Sequence, residues 1–450
     1  MAREIGWSQE SNLIWEMSKK IDRLNKIMCC TSGNGTPSEI VFAPSTSQDS
    51  FGRLRVSNPL TLFDSSHRYA DNNLWDTFAI SGGAAVFSQN EGLVNLNVST
   101  TSGSEVLRET TKVCSYQPGK SLLVINTFVM SPAQTNLRQR VGYFGLSNGM
   151  YIQLDNNVLS FVERSLVTGA VTETRISQLG GVYGAGDTGW NVDKMNGTGP
   201  SGLTLDITKA QIFWMDIEWL GEGTVRLGFV IDGVFIHCHS FHHANLISST
   251  YITTASLPLR YEITNTGTTA TASTLKQVCS TAISEGGYQL RGAQQAIGTS
   301  ILTPRTFAVA GTYYPIVSIR LIATKLDAIV ISTAVSLLGL GNGKNYAWRV
   351  VQSGVTTGGT WVALGAGSAV EYNLTGTSAT GGRILAQGYV NSSNQGSPSI
   401  NILKEALFAN QLERNSFTGV ARELIIEAAV QTTSGGEGMF ASIDWEEVSR

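Results

Sequence analysis

The sequence predicts an all-β chain: an N-terminal helix, then a large antiparallel β-sandwich of jelly-roll type, then a smaller C-terminal β-sandwich. Three observations predict it. Glycine supplies 48 of the 450 residues, well above the roughly 7% of an average protein. Charged residues make up only 14%, against about 25%. Alternating apolar runs are separated by tight-turn pairs such as Asn148-Gly149 and Asp232-Gly233. A parallel α/β fold would need helical stretches of roughly 10–15 residues between strands, and none is present.

The helix is read in residues 1–30. Ser8, Gln9 and Glu10 make a helix start with acid in the first turn. Ile14, Met17, Ile21, Leu24 and Met28 then recur at spacings of three and four, as an a/d stripe. So short a helix is marginal alone in water. It needs its own domain or a partner to cover the stripe, and the reading adopted is a docking or oligomerising helix. Residues 31–50, with Gly33, Gly35 and Pro37, read as a linker arm.

Residues 51–292 hold the larger sandwich. Its clearest unit is a meander of Ala210–Leu220, Thr224–Asp232 and Val234–Phe241, joined by Gly221-Glu222-Gly223 and an Asp-Gly turn. Phe213, Met215, Ile217 and Trp219 fall on one face and predict the core. Ile212, Trp214, Asp216 and Glu218 fall on the other. Residues 293–450 hold the smaller sandwich, with strands in Ile316–Thr324, Ala328–Gly339, Asn345–Gln352, Ile384–Val390, Leu424–Thr432 and Ala441–Val448. Ile402–Gln411 reads as a short helix or an irregular edge.

Composition narrows the function classes. A net charge of −3 and a pI near 6.0 give no global attraction to nucleic acid, so no nucleic-acid partner is expected. The longest apolar run, Ile329–Leu340, is too short to span a bilayer, so no membrane insertion is expected. Met1–Trp7 lacks the basic and apolar regions of a secretion signal, which favours assembly in a cytoplasm. Five cysteines without a CxxC spacing read as reduced, buried thiols.

Site chemistry is sparse. Four of the five histidines, His237, His239, His242 and His243, lie within seven residues. On a strand His237 and His239 share a face, so a zinc or nickel site stays open beside the plainer reading of a polar face and loop. Asp216 and Glu218 share a strand face, a permissive spacing for glycosidic hydrolysis. No nucleophile elbow, zinc helix or phosphate loop is present. No catalytic residue, cofactor or metal is therefore assigned, and the chain is expected to be no enzyme. Trp214, beside the two acids, and Trp361 are the candidate sugar platforms.

Two stretches carry a family resemblance. Ile5–Leu24 resembles the short N-terminal helix heading many fibre-like phage proteins. Phe213–Asn245, with Leu257–Ile263 and Phe51–Ser65, resembles the central β domain of virion structural proteins of tailed bacteriophages, especially phages of aquatic bacteria. The resemblance covers about residues 5–280, and the C-terminal domain lies outside it. It implies a fibre, collar or decoration component, located in the virion and assembled in the host cytoplasm. The protein is then a homo-oligomer, with a trimer favoured, anchored to other virion proteins by its N-terminal helix and with its C-terminal domain outward. A glycan-binding receptor-recognition protein is the alternative, with host surface glycan as partner. A polysaccharide depolymerase using Asp216 and Glu218 ranks below both.

Overall fold

Period-2 patterning and glycine turns give strand after strand. The computed structural model describes residues 48–49, 58–289, 291–393 and 411–449. The expected helix with Ile14, Met17, Ile21, Leu24 and Met28 lies outside them, as does most of Ile402–Gln411. The chain divides into two units, Met1–Gln48 and Asp49–Arg450. Among the described residues there is no α-helix, and one 3₁₀ turn at Ala323–Lys325. No helix there is long and apolar enough to cross a membrane.

The first fifteen strands are β1 (Leu60–Ser66), β2 (Trp75–Ile80), β3 (Ala84–Ser88), β4 (Leu93–Val98), β5 (Glu105–Thr110), β6 (Leu122–Val129), β7 (Leu137–Phe144), β8 (Gly149–Asp155), β9 (Val158–Ser165), β10 (Thr172–Ser177), β11 (Gln211–Ile217), β12 (Val225–Ile231), β13 (Val234–Phe241), β14 (Leu259–Asn265) and β15 (Ser273–Ser284). They form two antiparallel sheets. One runs β13-β12-β11-β6-β15-β4-β3, with β1 also on β15; the other runs β10-β9-β8-β7-β14-β5-β2. Phe128, Phe213, Met215 and Phe229 from the first pack against Val141, Tyr143, Phe161 and Tyr261 from the second in one apolar core.

The meander forms as read, from β11 to β13. Asp232 and Gly233 both take positive φ, 51° and 78°, as a two-residue hairpin turn matched to strand twist requires. Phe213, Met215 and Ile217 are fully buried. The opposite face departs from expectation: Ile212 is exposed, but Trp214, Asp216 and Glu218 are buried.

The smaller sandwich adds β16 (Ala293–Gly298), β17 (Arg305–Thr306), β18 (Tyr314–Leu321), β19 (Ile329–Leu340), β20 (Asn345–Thr357), β21 (Val362–Ala363), β22 (Val370–Asn373), β23 (Ser378–Asn391), β24 (Arg414–Asn415), β25 (Val420–Ala421), β26 (Glu423–Val430) and β27 (Gly438–Ser449). A six-stranded sheet, β21-β22-β18-β26-β20-β23, faces a four-stranded one built round β27. Ile319, Trp348, Val350 and Ile426 meet Val335, Leu337, Ile443 and Trp445 in a second core.

A charged joint ties the two sandwiches. Arg414 donates Nη1–H to the Thr110 carbonyl at 2.9 Å and pairs with Glu109 at 2.9 Å. Arg422 pairs with Asp76, and Lys112 lies 3.6 Å from Glu413. Gln411 donates to the Val113 carbonyl.

Candidate binding cleft

The residues singled out from the sequence fall in separate places. Trp214 is fully buried, and its indole N–H donates to the Phe229 carbonyl at 3.2 Å. It presents no face to a sugar, which corrects the platform expectation. Trp361 is half-buried, and Arg320 lies over its ring at 4.0 Å. Trp361 stands beside β21, at the opposite edge of the six-stranded sheet from β23. Asp216 accepts from Ser121 Oγ at 2.6 Å and from Arg226 Nε at 2.9 Å. That arginine is its cross-strand neighbour, so the acid is engaged in a buried ion pair.

The histidines are separated by a bulge. The register slips between Leu227 and Gly228, opposite His239 and His237, leaving Cys238 as the extra residue. His237 packs near Trp214 and His239 near Phe161. Burial, with Arg226 nearby, holds His237 down to about 4. Burial also holds His239 down to about 3, and its Nδ1 accepts from the Asn191 N–H. Among the described residues no three His, Cys, Asp or Glu side chains gather as a metal-binding set.

A different constellation forms on the outer face of the six-stranded sheet. Tyr346, Trp348 and Val350 of β20 enter the core, so Asn345, Ala347 and Arg349 point the other way. Cross-strand partners share a face. Asn345 pairs with Asn391, and Ala347 pairs with Tyr389 on one side and Ala429 on the other. Two alanines thus form a low floor where larger side chains would fill the space. Tyr389, 89% exposed, rises on one side, and Tyr313 rises on the other. Between them lies an open cleft of about 690 Å³. Arg349 sits 4.0 Å over the Tyr313 ring and pairs with Glu427.

One end of the cleft is closed by three side-chain amides. Asn391 Nδ2–H donates to Asn345 Oδ1 at 2.6 Å. Asn345 Nδ2–H donates to Gln431 Oε1 at 2.7 Å. Gln431 is fixed below by its backbone N–H, which donates to the Asn345 carbonyl at 2.9 Å. Sequence reasoning placed strands here but marked none of these residues. The available signal was the contrast in Asn345–Arg349 between a core-facing Tyr346/Trp348 pair and intervening Asn345 and Ala347. The exposure of Tyr389 is a tertiary property.

An exposed ring, a shallow floor and a row of amides suit a pyranose. The ring stacks on its C–H face, and amides match vicinal hydroxyls.

No family model matches the sequence, and no curated protein matches it. Solved structures overlap it in part. A protein of unknown function from Shewanella oneidensis is 11% identical, covering 52% of this chain and 91% of that one, with a TM-score of 0.33. The legume lectin-like domain from Entamoeba histolytica is 9% identical, covering 48% and 94%, with a TM-score of 0.27. The CBM2 module of the evolved Dit of Lactobacillus casei BL23 phage J-1 is 8% identical, covering 51% and 98%, with a TM-score of 0.32. Likeness at this level carries no functional argument; the β-sandwich architecture rests on the sheet order itself.

Proposed function

We propose that this chain is a glycan-recognition protein that binds without turnover, holding a sugar in the cleft of its smaller sandwich. One observation carries the reading: the exposed Tyr389 ring stands beside the Asn391–Asn345–Gln431 amide row over a floor of Ala347 and Ala429. The 89% exposed Tyr389 ring beside this amide row offers a ligand an apolar face next to hydrogen-bonding groups. Asp216 and Glu218 lie in the larger sandwich, apart from this cleft, and Asp216 is engaged by Arg226.

The test is a glycan array probed with the full chain and with Tyr389→Ala. The expected result is binding to a subset of glycans, falling at least tenfold in the variant. Absence of binding to any glycan by the wild-type chain overturns the reading.

The setting we propose is a tailed-phage virion, as an attachment or fibre-like component. The resemblance of Phe213–Asn245 and Ile5–Leu24 supports it. Immunogold labelling of purified virions with antibody to the chain tests this; particles that lack it overturn the placement and leave the glycan reading standing.

A further inference from the structure

The direction of the amide row fixes the chemistry of what it can hold. Amide oxygen and nitrogen are told apart by their partners, and here one partner is unambiguous. The backbone N–H of Ser393 can only donate, and it donates to Asn391 at 2.8 Å. The atom it meets is therefore Asn391 Oδ1. Asn391 must then turn Nδ2 toward Asn345, at 2.6 Å, and the atom that receives it is Asn345 Oδ1. Asn345 in turn presents Nδ2 to Gln431 Oε1 at 2.7 Å. One backbone donor thus sets three side chains in order, and the row ends on Gln431 Nε2. Among the described residues neither of its N–H groups has an acceptor, and the residue is exposed.

Such a row is polarised. Each oxygen that accepts makes the attached N–H a better donor, so the effect accumulates toward Gln431. Each oxygen already accepts one hydrogen bond, and the free end of the row carries the unclaimed N–H groups of Gln431 Nε2. The second hydrogen of Asn345 Nδ2 adds a donor one step back. The cleft lining also contains no acid. Two carboxylates beside the cleft are both paired with cations, Glu427 with Arg349 and Glu437 with Lys344. The free end of the row presents N–H donors, and a hydrogen bond from them to an anionic oxygen is stronger than one to a neutral hydroxyl.

We infer that the cleft selects glycans bearing a carboxylate, such as uronic or sialic acids, with the sugar on Tyr389 and the carboxylate on Gln431 Nε2. This inference rests on the glycan reading of the same cleft.

The experiment pairs each carboxylate-bearing glycan on an array with its neutral counterpart of the same backbone, and measures wild type, Gln431→Glu and Tyr389→Ala as full-length chains. Expected is at least tenfold preference of the wild type for the carboxylate member of a pair. Gln431→Glu, a substitution at an exposed position, should weaken that member at least tenfold more than it weakens the neutral one. Tyr389→Ala should weaken both members. Equal binding of the two members by wild type, or an intact carboxylate preference in Gln431→Glu, overturns the inference and leaves the glycan reading in place. Binding to no member overturns the glycan reading, and the inference with it.

Discussion

His243 clasps Glu163 across the two sheets of the larger sandwich. Its Nε2 lies 2.7 Å from Glu163 Oε2, and its Nδ1 lies 2.5 Å from the Gly223 carbonyl oxygen. Both partners are pure acceptors, so both ring nitrogens must donate and the imidazole is held as the cation. Burial opposes that charge, but the Glu163 carboxylate outweighs it, and the histidine sits above its ordinary value of 6.5. Tyr251 stacks on the ring at 3.9 Å and shields the pair.

The first prediction follows from that sign. A histidine raised in the folded state contributes stability that is complete below about 6.5 and is lost as pH rises through the folded value. Urea midpoints measured upward from pH 6 should therefore fall in wild type. In His243→Gln, which cannot titrate, this component should vanish. At pH 6 the variant should lose about 3 kcal/mol, as expected for a buried pair broken on one side. A midpoint with the same pH slope in both proteins would refute the assignment.

Asp76 gives the second prediction, at more acid pH. One carboxylate oxygen meets Arg422, while Oδ2 is buried without a partner. Burial therefore dominates over the arginines and raises the group from 3.8 to about 6. Between those values the folded chain holds a proton the unfolded chain has released, so stability contributed by Asp76 declines as pH rises from about 4 to 6. Asp76→Asn should flatten the unfolding profile in that window. Chemical denaturation at half-unit pH steps checks it.

Arg414 supplies the third. Its guanidinium spans Thr110, Glu109 and Asp327, and its backbone N–H donates to the Thr111 carbonyl. Arg414→Ala leaves Glu109, itself only 1% exposed, short of its nearest cation. Scanning calorimetry should show the single transition of wild type separating into two, one per sandwich, with the first shifted down by several degrees. A single unsplit transition in the variant would show that the joint does not depend on this residue.

Legibility in the sequence followed how local the signal was. The β11–β13 meander was readable because period-2 alternation and an Asp-Gly turn are properties of neighbouring residues. The core face of Phe213, Met215 and Ile217 was readable for the same reason. The opposite face was misjudged because burial of Trp214 and Asp216 depends on what packs over the sheet. The pairing of His237 with His239 failed at a single inserted residue, Cys238, since a bulge leaves little trace in composition. The cleft was hidden for a further reason. Tyr389 and Asn345 lie on β23 and β20, and Gln431 directly follows β26; the order of these strands is not the chain order, and only the register brings the three residues together.

The last prediction concerns how tightly that register is set. Gly388 precedes Tyr389 on β23 and lies opposite Trp348. A methyl group at Gly388 would stand 2.7 Å from Trp348 Cζ2 and 2.9 Å from Cε2, closer than carbon atoms approach. Gly388→Ala must displace either the buried indole or the strand, at a cost of about 1–3 kcal/mol. Because Tyr389 is the next residue, the same displacement should reduce glycan binding several-fold. Trp348→Phe removes both indole atoms that the methyl would strike. The cost of Gly388→Ala should therefore shrink to less than about 1 kcal/mol in that background, a coupling that a double-mutant cycle of urea unfolding measures directly. If the two substitutions add instead, the close approach of Gly388 to Trp348 is not what holds Tyr389 in place.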